Sequence, residues 1–163
     1  MMLSQIIETA VAPALTLLPA NMDTPRARVM LLAIGLQESR FVHRRQIGGP
    51  ARGFWQFEKG TRASRGGCWG VYLHASSRGH LGVLCKARSV ACDPDSIYAA
   101  VEYDDVLAAG VARLLLWTDA HALPGVGDQA GGWDLYLRTW RPGKPHPHTW
   151  PGLYAQAVAE VAR

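Results

Sequence analysis

Apolar residues recur with the period of an α-helix along most of this chain. Near the start they stand at positions 3, 6, 7, 10, 11, 14, 15 and 18, which is the spacing of one helical face. Pro13 lies inside this run and lacks a backbone donor, so we expect it to kink or divide the first helix. Thr24 and Pro25 suit an N-cap and a first helical position, and the segment after them stays strongly apolar to about Val42. Positions 29 to 36 hold only apolar residues and glycine, which predicts a helix buried on several sides.

The pattern changes between Gln46 and Asp93. This segment is rich in Gly, Ser and Arg and has few periodic apolar positions, so we expect it to be irregular and to form a cleft. Two helices are predicted next, starting near Pro94 and near Asp104, with positions 100, 101, 107, 111, 114 and 115 facing inward. A further helix must end by Arg141, because proline disfavours helical geometry in the residue before it.

A last amphipathic helix follows, for which Thr149 and Pro151 suit the N-cap and the first turn. Its apolar side is expected to carry Leu153, Tyr154, Ala157, Val158 and Val161. No segment alternates apolar and polar residues as a half-buried strand does. The pattern therefore predicts an all-α fold, and the 163 residues fit one compact domain over positions 1–163.

Composition narrows the classes of protein to consider. No apolar run approaches the roughly 20 residues that span a bilayer, and the N-terminal segment, with Glu8 and no early basic residue, differs from a secretion signal. A net charge of +4 favours polyanionic partners such as bacterial wall polymers, but the basic residues are scattered, so nucleic-acid binding is not predicted. The spacing of Cys68, Cys85 and Cys92 fits neither a disulfide framework nor a zinc motif, so we expect reduced thiols.

One carboxyl group continues an apolar stripe. On the second helix, one face carries Leu31, Ile34, Gly35, Glu38 and Val42. Burial beside apolar groups raises the pKa of a carboxyl group, which is the property of a general acid near neutral pH. The alternative is that the helix frays before Glu38 and the side chain points into water.

The residues after Glu38 favour a binding site. Gly53 permits a sharp turn and a close approach of backbone to a ligand. Phe54 and Trp55 offer flat faces of the kind that stack on sugar rings, and Gln56 supplies a donor and an acceptor. Together these residues predict a cleft that binds a glycan.

These motifs resemble a known family. "QESRF" at 37–41 and "GFWQFE" at 53–58, with Gln56 eighteen positions after Glu38, resemble the first two motifs of the lytic transglycosylase and goose-type lysozyme superfamily. "TWRPGKP" and "LLAIGLQESRF" are also similar to segments of small muramidase-like proteins of tailed bacteriophages. The resemblance implies a lysozyme-like helical domain that cleaves the MurNAc-GlcNAc β-1,4 bond of peptidoglycan without a cofactor. Glycan strands, and other virion proteins, are the implied partners.

The resemblance also implies roles for individual residues. Glu38 takes the place of a single catalytic acid, and Ser39 helps to hold it or the substrate. Gly53 and Gln56 form part of the cleft. Tyr136, in "WDLYLRTWRPGKP", is the counterpart of the tyrosine in the family's third motif.

Further candidates for substrate binding lie near the C-terminus. A glycan groove could be lined by any of Trp133, Tyr136, Trp140 and Trp150, about half of which we expect to be core. Arg141 and Lys144 are candidates to meet peptide-stem carboxylates or wall phosphates. His146 and His148 lack the spacing of metal ligands, so no metal is predicted.

The number of catalytic carboxylates distinguishes two reactions. A usual glycosidase needs two catalytic carboxyl groups. In a transglycosylase the C6 hydroxyl of MurNAc attacks C1 and forms a 1,6-anhydro end, so the reaction requires only one acid/base. The candidates for a second acid are Glu58, Glu102, Asp104, Asp105 and Asp134. Each also suits an ordinary role, at a helix end, on a turn or on the solvated surface. We therefore favour transglycosylation by Glu38 in a monomer. Two alternatives stay open: hydrolysis with an unidentified second carboxylate, and a non-catalytic virion module that binds the wall. The site of action, virion or host cytoplasm, also stays open.

Overall fold

The protein, described over residues 1–163 by a computed structural model, consists of helices and turns without a β-strand. The elements are α1 (Leu3–Ile6), a π-helical turn (Ile7–Val11), α2 (Ala12–Thr16), a 3-10 turn (Ala20–Met22), α3 (Pro25–Ser39), α4 (Gly67–Leu73), α5 (Arg78–Ala87), α6 (Pro94–Ala100), α7 (Asp105–Trp117), α8 (Gln129–Trp140) and α9 (Trp150–Val161). The all-α prediction is confirmed. Extended backbone is limited to isolated bridges that join Arg52 to Arg45 and to Phe57.

The first helix is divided, as predicted from Pro13. The π-helical turn Ile7–Val11 separates α1 from α2, and Pro13 is the second residue of α2. Because proline cannot donate to the carbonyl one turn earlier, the regular hydrogen-bond pattern is interrupted there.

Helix α3 begins as predicted and ends earlier than predicted. The Thr24 hydroxyl accepts the Ala27 amide at 3.1 Å and caps the helix. The prediction that the helix runs to about Val42 is wrong, since Arg40 and Phe41 have φ values of 56° and 55°. The Phe41 ring turns back against Gly35, where a Cβ would lie 2.2 Å from Cζ of that ring. This contact ends α3 at Ser39 and leaves Val42 exposed.

The segment between Gln46 and Asp93 contains two helices that the pattern did not predict. Short helices α4 and α5 pack against each other and against α7. Helix α5 buries Leu81 and Leu84, three positions apart, in the common core. Residues 46–66 of the segment match the predicted irregular, cleft-forming structure.

The predicted starts of the next two helices are confirmed. Asp93 accepts the Ser96 amide at 2.8 Å, and Asp104 accepts the Leu107 amide at 2.9 Å. Each carboxylate therefore caps a helix, α6 or α7. Of the six positions expected to face inward, all but the partly buried Ala100 are buried.

Helix α8 ends where predicted, and helix α9 begins where predicted. Arg141, with φ of 51°, follows the last residue of α8, and Thr149 precedes α9. The Thr149 hydroxyl does not cap the helix; it donates to Oε1 of Gln37 at 3.0 Å.

One continuous core of 39 buried residues joins all parts of the chain. Helix α3 packs mainly on α9, while α7 packs on the N-terminal helical segments and on α4 and α5. The two helices α3 and α7 are thus the centre of the packing. None of the helices has the length and apolar character needed to cross a membrane.

Candidate active site

A cleft of about 830 Å³ opens at the C-terminal end of α3. It lies between that helix end, residues 46–67, and the end of α8 with the segment that follows it. Polar side chains dominate its lining, among them Gln37, Glu38, Gln46, Gln56, Glu58, Ser64, Tyr136, Thr139, Arg141, Lys144 and His146.

Glu38 and Tyr136 form a hydrogen-bonded pair in this cleft. The Tyr136 hydroxyl donates to Oε1 of Glu38 at 2.7 Å. Burial raises the pKa of Glu38 to about 7; the bond from Tyr136 acts in the opposite direction, and the nearby charge of Glu58 adds to the increase. Burial and the Glu38 carboxylate likewise raise the pKa of Tyr136. The pair can therefore hold or release a proton near neutral pH while Tyr136 stays a donor.

Ser39 fixes the helix end that carries Glu38. Its side chain is buried, with the hydroxyl donating to the Phe54 carbonyl at 2.7 Å and accepting the Phe41 amide at 3.1 Å. Ser39 does not line the cleft, so the structure places it where it holds Glu38 and not where it would hold a ligand.

Two indole hydrogen bonds bring α8 beside α3. Trp55 donates from Nε1 to the Leu31 carbonyl at 2.8 Å, and Trp140 donates from Nε1 to the Trp55 carbonyl at 2.8 Å. Tyr136 precedes Trp140 by four positions and so shares its face of α8. The ring of Tyr136 also stacks on Trp150 of α9, with centroids 5.4 Å apart. These contacts fix the hydroxyl that meets Glu38.

The structure corrects the role predicted for Phe54 and Trp55. Both belong to the core, with exposures of 3% and 0%, and their rings pack edge-on against Phe41. Gly53 is also absent from the cleft surface: its φ is 73°, and a Cβ there would lie 2.2 Å from the Val101 carbonyl oxygen. Buried rings cannot stack on a sugar, so these three residues shape the turn without contacting a ligand.

Four of the other predicted binding residues line the cleft, namely Gln56, Tyr136, Trp140 and Arg141, whereas Ser39, Trp133 and the core residue Trp150 do not. Gln56 is partly buried, and its Nε2 donates to the Gly53 carbonyl at 2.7 Å. Trp140 is partly buried, whereas Arg141 is exposed and donates from Nη1 to the Ser64 carbonyl at 2.9 Å. Lys144 extends the same basic rim.

Among the five candidate second carboxylates, only Glu58 lies in the cleft, where it is exposed. Glu102 is 6% exposed and contacts Arg45 at 2.7 Å and Arg52 at 3.2 Å. Its hydrogen bond with Arg45 holds the pKa of Glu102 below the ordinary value.

The three remaining candidates have structural or surface positions. Asp104, the cap of α7, pairs with Arg88 at 2.8 Å. Asp105 pairs with Arg44. Asp134 is exposed on α8 away from the cleft.

Gln37 is a cleft residue that the sequence reasoning did not single out. Its Nε2 donates to the His146 carbonyl at 3.2 Å, and its Oε1 accepts from Thr149. It thereby ties the basic rim after α8 to the end of α3. Its position next to Glu38 on a helix that ends at a cleft was the signal available in the sequence.

No group of three or more His, Cys, Asp or Glu residues is arranged to hold a metal ion, and all three cysteines are free thiols. Comparison of the chain with protein families, curated protein sequences and solved structures gives no significant match.

Proposed function

We propose that this protein cleaves the β-1,4 bond between MurNAc and GlcNAc in peptidoglycan, with Glu38 as general acid and base. The observation that carries the proposal is the position of Glu38, a partly buried carboxyl group that faces an open cleft and accepts a hydrogen bond from Tyr136 at 2.7 Å; burial raises its pKa to about 7. A general acid is most effective when its pKa lies near the working pH. The resemblance of "QESRF" and "GFWQFE" to wall-lytic enzymes agrees with this chemistry.

In the first step, protonated Glu38 gives its proton to the glycosidic oxygen as the bond to C1 of MurNAc breaks. The hydroxyl of Tyr136, 2.7 Å from Oε1, then stabilises the carboxylate that forms. In the second step, the carboxylate takes the proton of the MurNAc C6 hydroxyl while that oxygen bonds to C1. The products are a GlcNAc end and a 1,6-anhydroMurNAc end, and Glu38 is protonated again.

The shape and charge of the cleft suit a branched, anionic polymer. An open cleft admits a chain that continues past both ends of the cleaved bond. Arg141 and Lys144 on its rim provide positive charge for peptide-stem carboxylates, and Gln37 and Gln56 provide amide groups for sugar hydroxyls.

Hydrolysis is a second candidate reaction, favoured by the position of Glu58 in the same cleft. Glu58 would act as the base that activates water, while Glu38 stays the acid. Glycosidases of this type hold their two carboxyl groups about 6.5 to 9.5 Å apart. The charge of Glu58 reaches Glu38 strongly enough to raise its pKa, so the two carboxyl groups are electrostatic neighbours.

The products released from purified sacculi distinguish these reactions. The wild-type protein is expected to give anhydro-muropeptides, each one water lighter than the reducing muropeptides that hydrolysis gives. Glu38→Gln should abolish both products, whereas Glu58→Gln should retain anhydro products. Asp134→Asn, which removes an exposed carboxylate outside the cleft, is the matched control and should have full activity.

Three outcomes would count against the proposal. Full activity of Glu38→Gln would remove Glu38 from the mechanism. Binding of sacculi without any released product would favour the non-catalytic wall-binding module. If the wild type releases reducing ends and Glu58→Gln does not, the reaction is hydrolysis and not transglycosylation.

A further inference from the structure

A second pocket, of about 370 Å³, lies on the other side of α7 from the cleft. Leu115 lines the cleft, whereas Arg113 and Trp117 line the second pocket. At 3.6 residues per turn, each of these two positions is about 160° around the helix from Leu115. The second pocket is bounded by the N-terminus of α3 and by residues 119–123.

Arg113 is a buried cation without a carboxylate partner. It is 2% exposed, and its one hydrogen bond runs from Nε to the Met22 carbonyl at 2.8 Å. Nη1 is buried and has no partner. The nearby acid Asp23 already holds Arg28 through two hydrogen bonds of 2.7 and 2.8 Å. Burial lowers the pKa of Arg113 to about 10, so the guanidinium is still charged at neutral pH.

A buried guanidinium without a directly bonded carboxylate is unfavourable, because the charge has lost water and nearby Asp23 offsets that loss only in part. An anion in the adjoining pocket would supply that counter-ion. Other groups around the pocket favour the same sign of ligand charge: Arg26 lines it, and the N-terminus of the 15-residue helix α3 carries a partial positive charge. The acid that lines it, Asp119, is already bonded to Arg138 at 3.1 Å.

Apolar side chains line another part of the pocket, beside the polar Asn21, Thr24 and His121. Leu116, Trp117 and Leu123 line it, and the Arg113 guanidinium lies 5.3 Å from the centre of the Trp117 ring. A small inorganic ion would leave these surfaces wet, whereas an organic ligand would cover them.

We propose that this pocket binds a small organic anion, with a carboxylate paired to Arg113 and an apolar body against Trp117 and Leu123. The proposal concerns a site apart from the cleft and does not depend on the proposed wall-lytic function.

Benzoate is a suitable probe, with benzamide as its neutral isostere and inorganic phosphate as an anion without an apolar body. In amide NMR titrations, benzoate is expected to bind with a Kd of about 1 mM or tighter and to shift resonances of residues 21–26 and 113–123. Benzamide and phosphate should bind at least about tenfold more weakly, since each lacks one of the two required features. Absence of saturable shifts with benzoate at about 20 mM would overturn the proposal, as would equal binding of benzamide.

Two variants test the pocket by independent routes. Arg113→Met removes the charge and should weaken benzoate binding at least about tenfold. Ala122→Trp retains Arg113 and blocks the pocket from an exposed position, so it should weaken binding similarly even if the first variant does not fold. Arg78→Met, which removes an exposed charge on α5, is the control and should bind as the wild type does. Unchanged binding in Ala122→Trp would refute the assignment of benzoate to this pocket.

Discussion

Glu38 is partly buried at the cleft and Glu102 is 6% exposed, and the surroundings of the two carboxyl groups change their pKa values in opposite directions. Glu102 contacts two guanidinium groups, and its pKa is held below the ordinary value. Glu38 has the hydroxyl of Tyr136 as its hydrogen-bond partner, and burial raises its pKa to about 7. The comparison shows that burial alone does not decide the pKa of a carboxyl group; burial raises the pKa where no cationic partner is present.

The largest expected effect is the loss of activity in Glu38→Gln. Removing a general acid typically lowers the rate by about 10² to 10⁴-fold, and glutamine has the same shape without the proton. The release of muropeptides from sacculi measures this effect. The corresponding change at the paired acid, Glu102→Gln, should leave the rate per folded molecule within about threefold of the wild type. Equal losses in both variants would contradict the distinction between the two acids.

Glu38→Gln should also stabilise the protein at alkaline pH. The folded pKa of Glu38 lies above its ordinary value of 4.5, so folding favours the protonated form and the wild type loses stability as pH rises from about 4.5 through 7. Glu38→Gln removes this loss and should raise the free energy of unfolding by up to about 3 kcal/mol at about pH 8, with no comparable gain at about pH 4. Urea unfolding at the two pH values measures the difference. A variant less stable than the wild type at about pH 8 would contradict it.

Glu102→Gln should destabilise the protein at neutral pH. It leaves Arg45 and Arg52 without a counter-charge, and since Arg45 is largely exposed we expect a loss smaller than that from breaking a fully buried pair. Because pairing lowers the pKa of Glu102, this contribution is present above its unfolded pKa and is lost as pH falls. Urea unfolding at neutral and acidic pH measures the difference in free energy of unfolding between the wild type and Glu102→Gln. If this difference is as large in acid as at neutral pH, the ion pairs are not its source.

The smallest effect is expected from Tyr136→Phe. This change removes the hydrogen bond that stabilises the Glu38 carboxylate, so the pKa of Glu38 should increase and the alkaline limb of the activity profile should move to higher pH. A rate loss of about tenfold is also expected. Tyr154→Phe, in which a tyrosine bonded outside the cleft is changed, is the matched control. A profile that moves to lower pH would contradict the account.

Helix starts were predictable because their signals are local. Thr24 before Pro25, and Asp104 before an apolar run, cap helices through bonds to amides three residues away. The end of α3 was not predictable in this way, because the Phe41 ring turns back onto Gly35 through tertiary packing. The short helices α4 and α5 likewise depend on their contacts with α7.

The candidate site was predictable in part. Glu38 follows an apolar stripe, and that pattern indicated burial and a raised pKa. The pattern could not show that Phe54 and Trp55 are core residues, since an aromatic ring suits a core and a sugar surface equally well. Neither could it show that Glu58 shares the cleft, because that depends on how residues 46–66 fold.

The protonation of Glu38 is most directly measured by an NMR titration of side-chain carboxyl carbons in protein labelled with ¹³C at glutamate. The chain has five glutamates, and one resonance should titrate with a pKa of about 7 and be absent in Glu38→Gln. If the resonance assigned to Glu38 instead titrates near the ordinary value of 4.5, Glu38 is a solvated carboxylate and is not held as an acid at neutral pH.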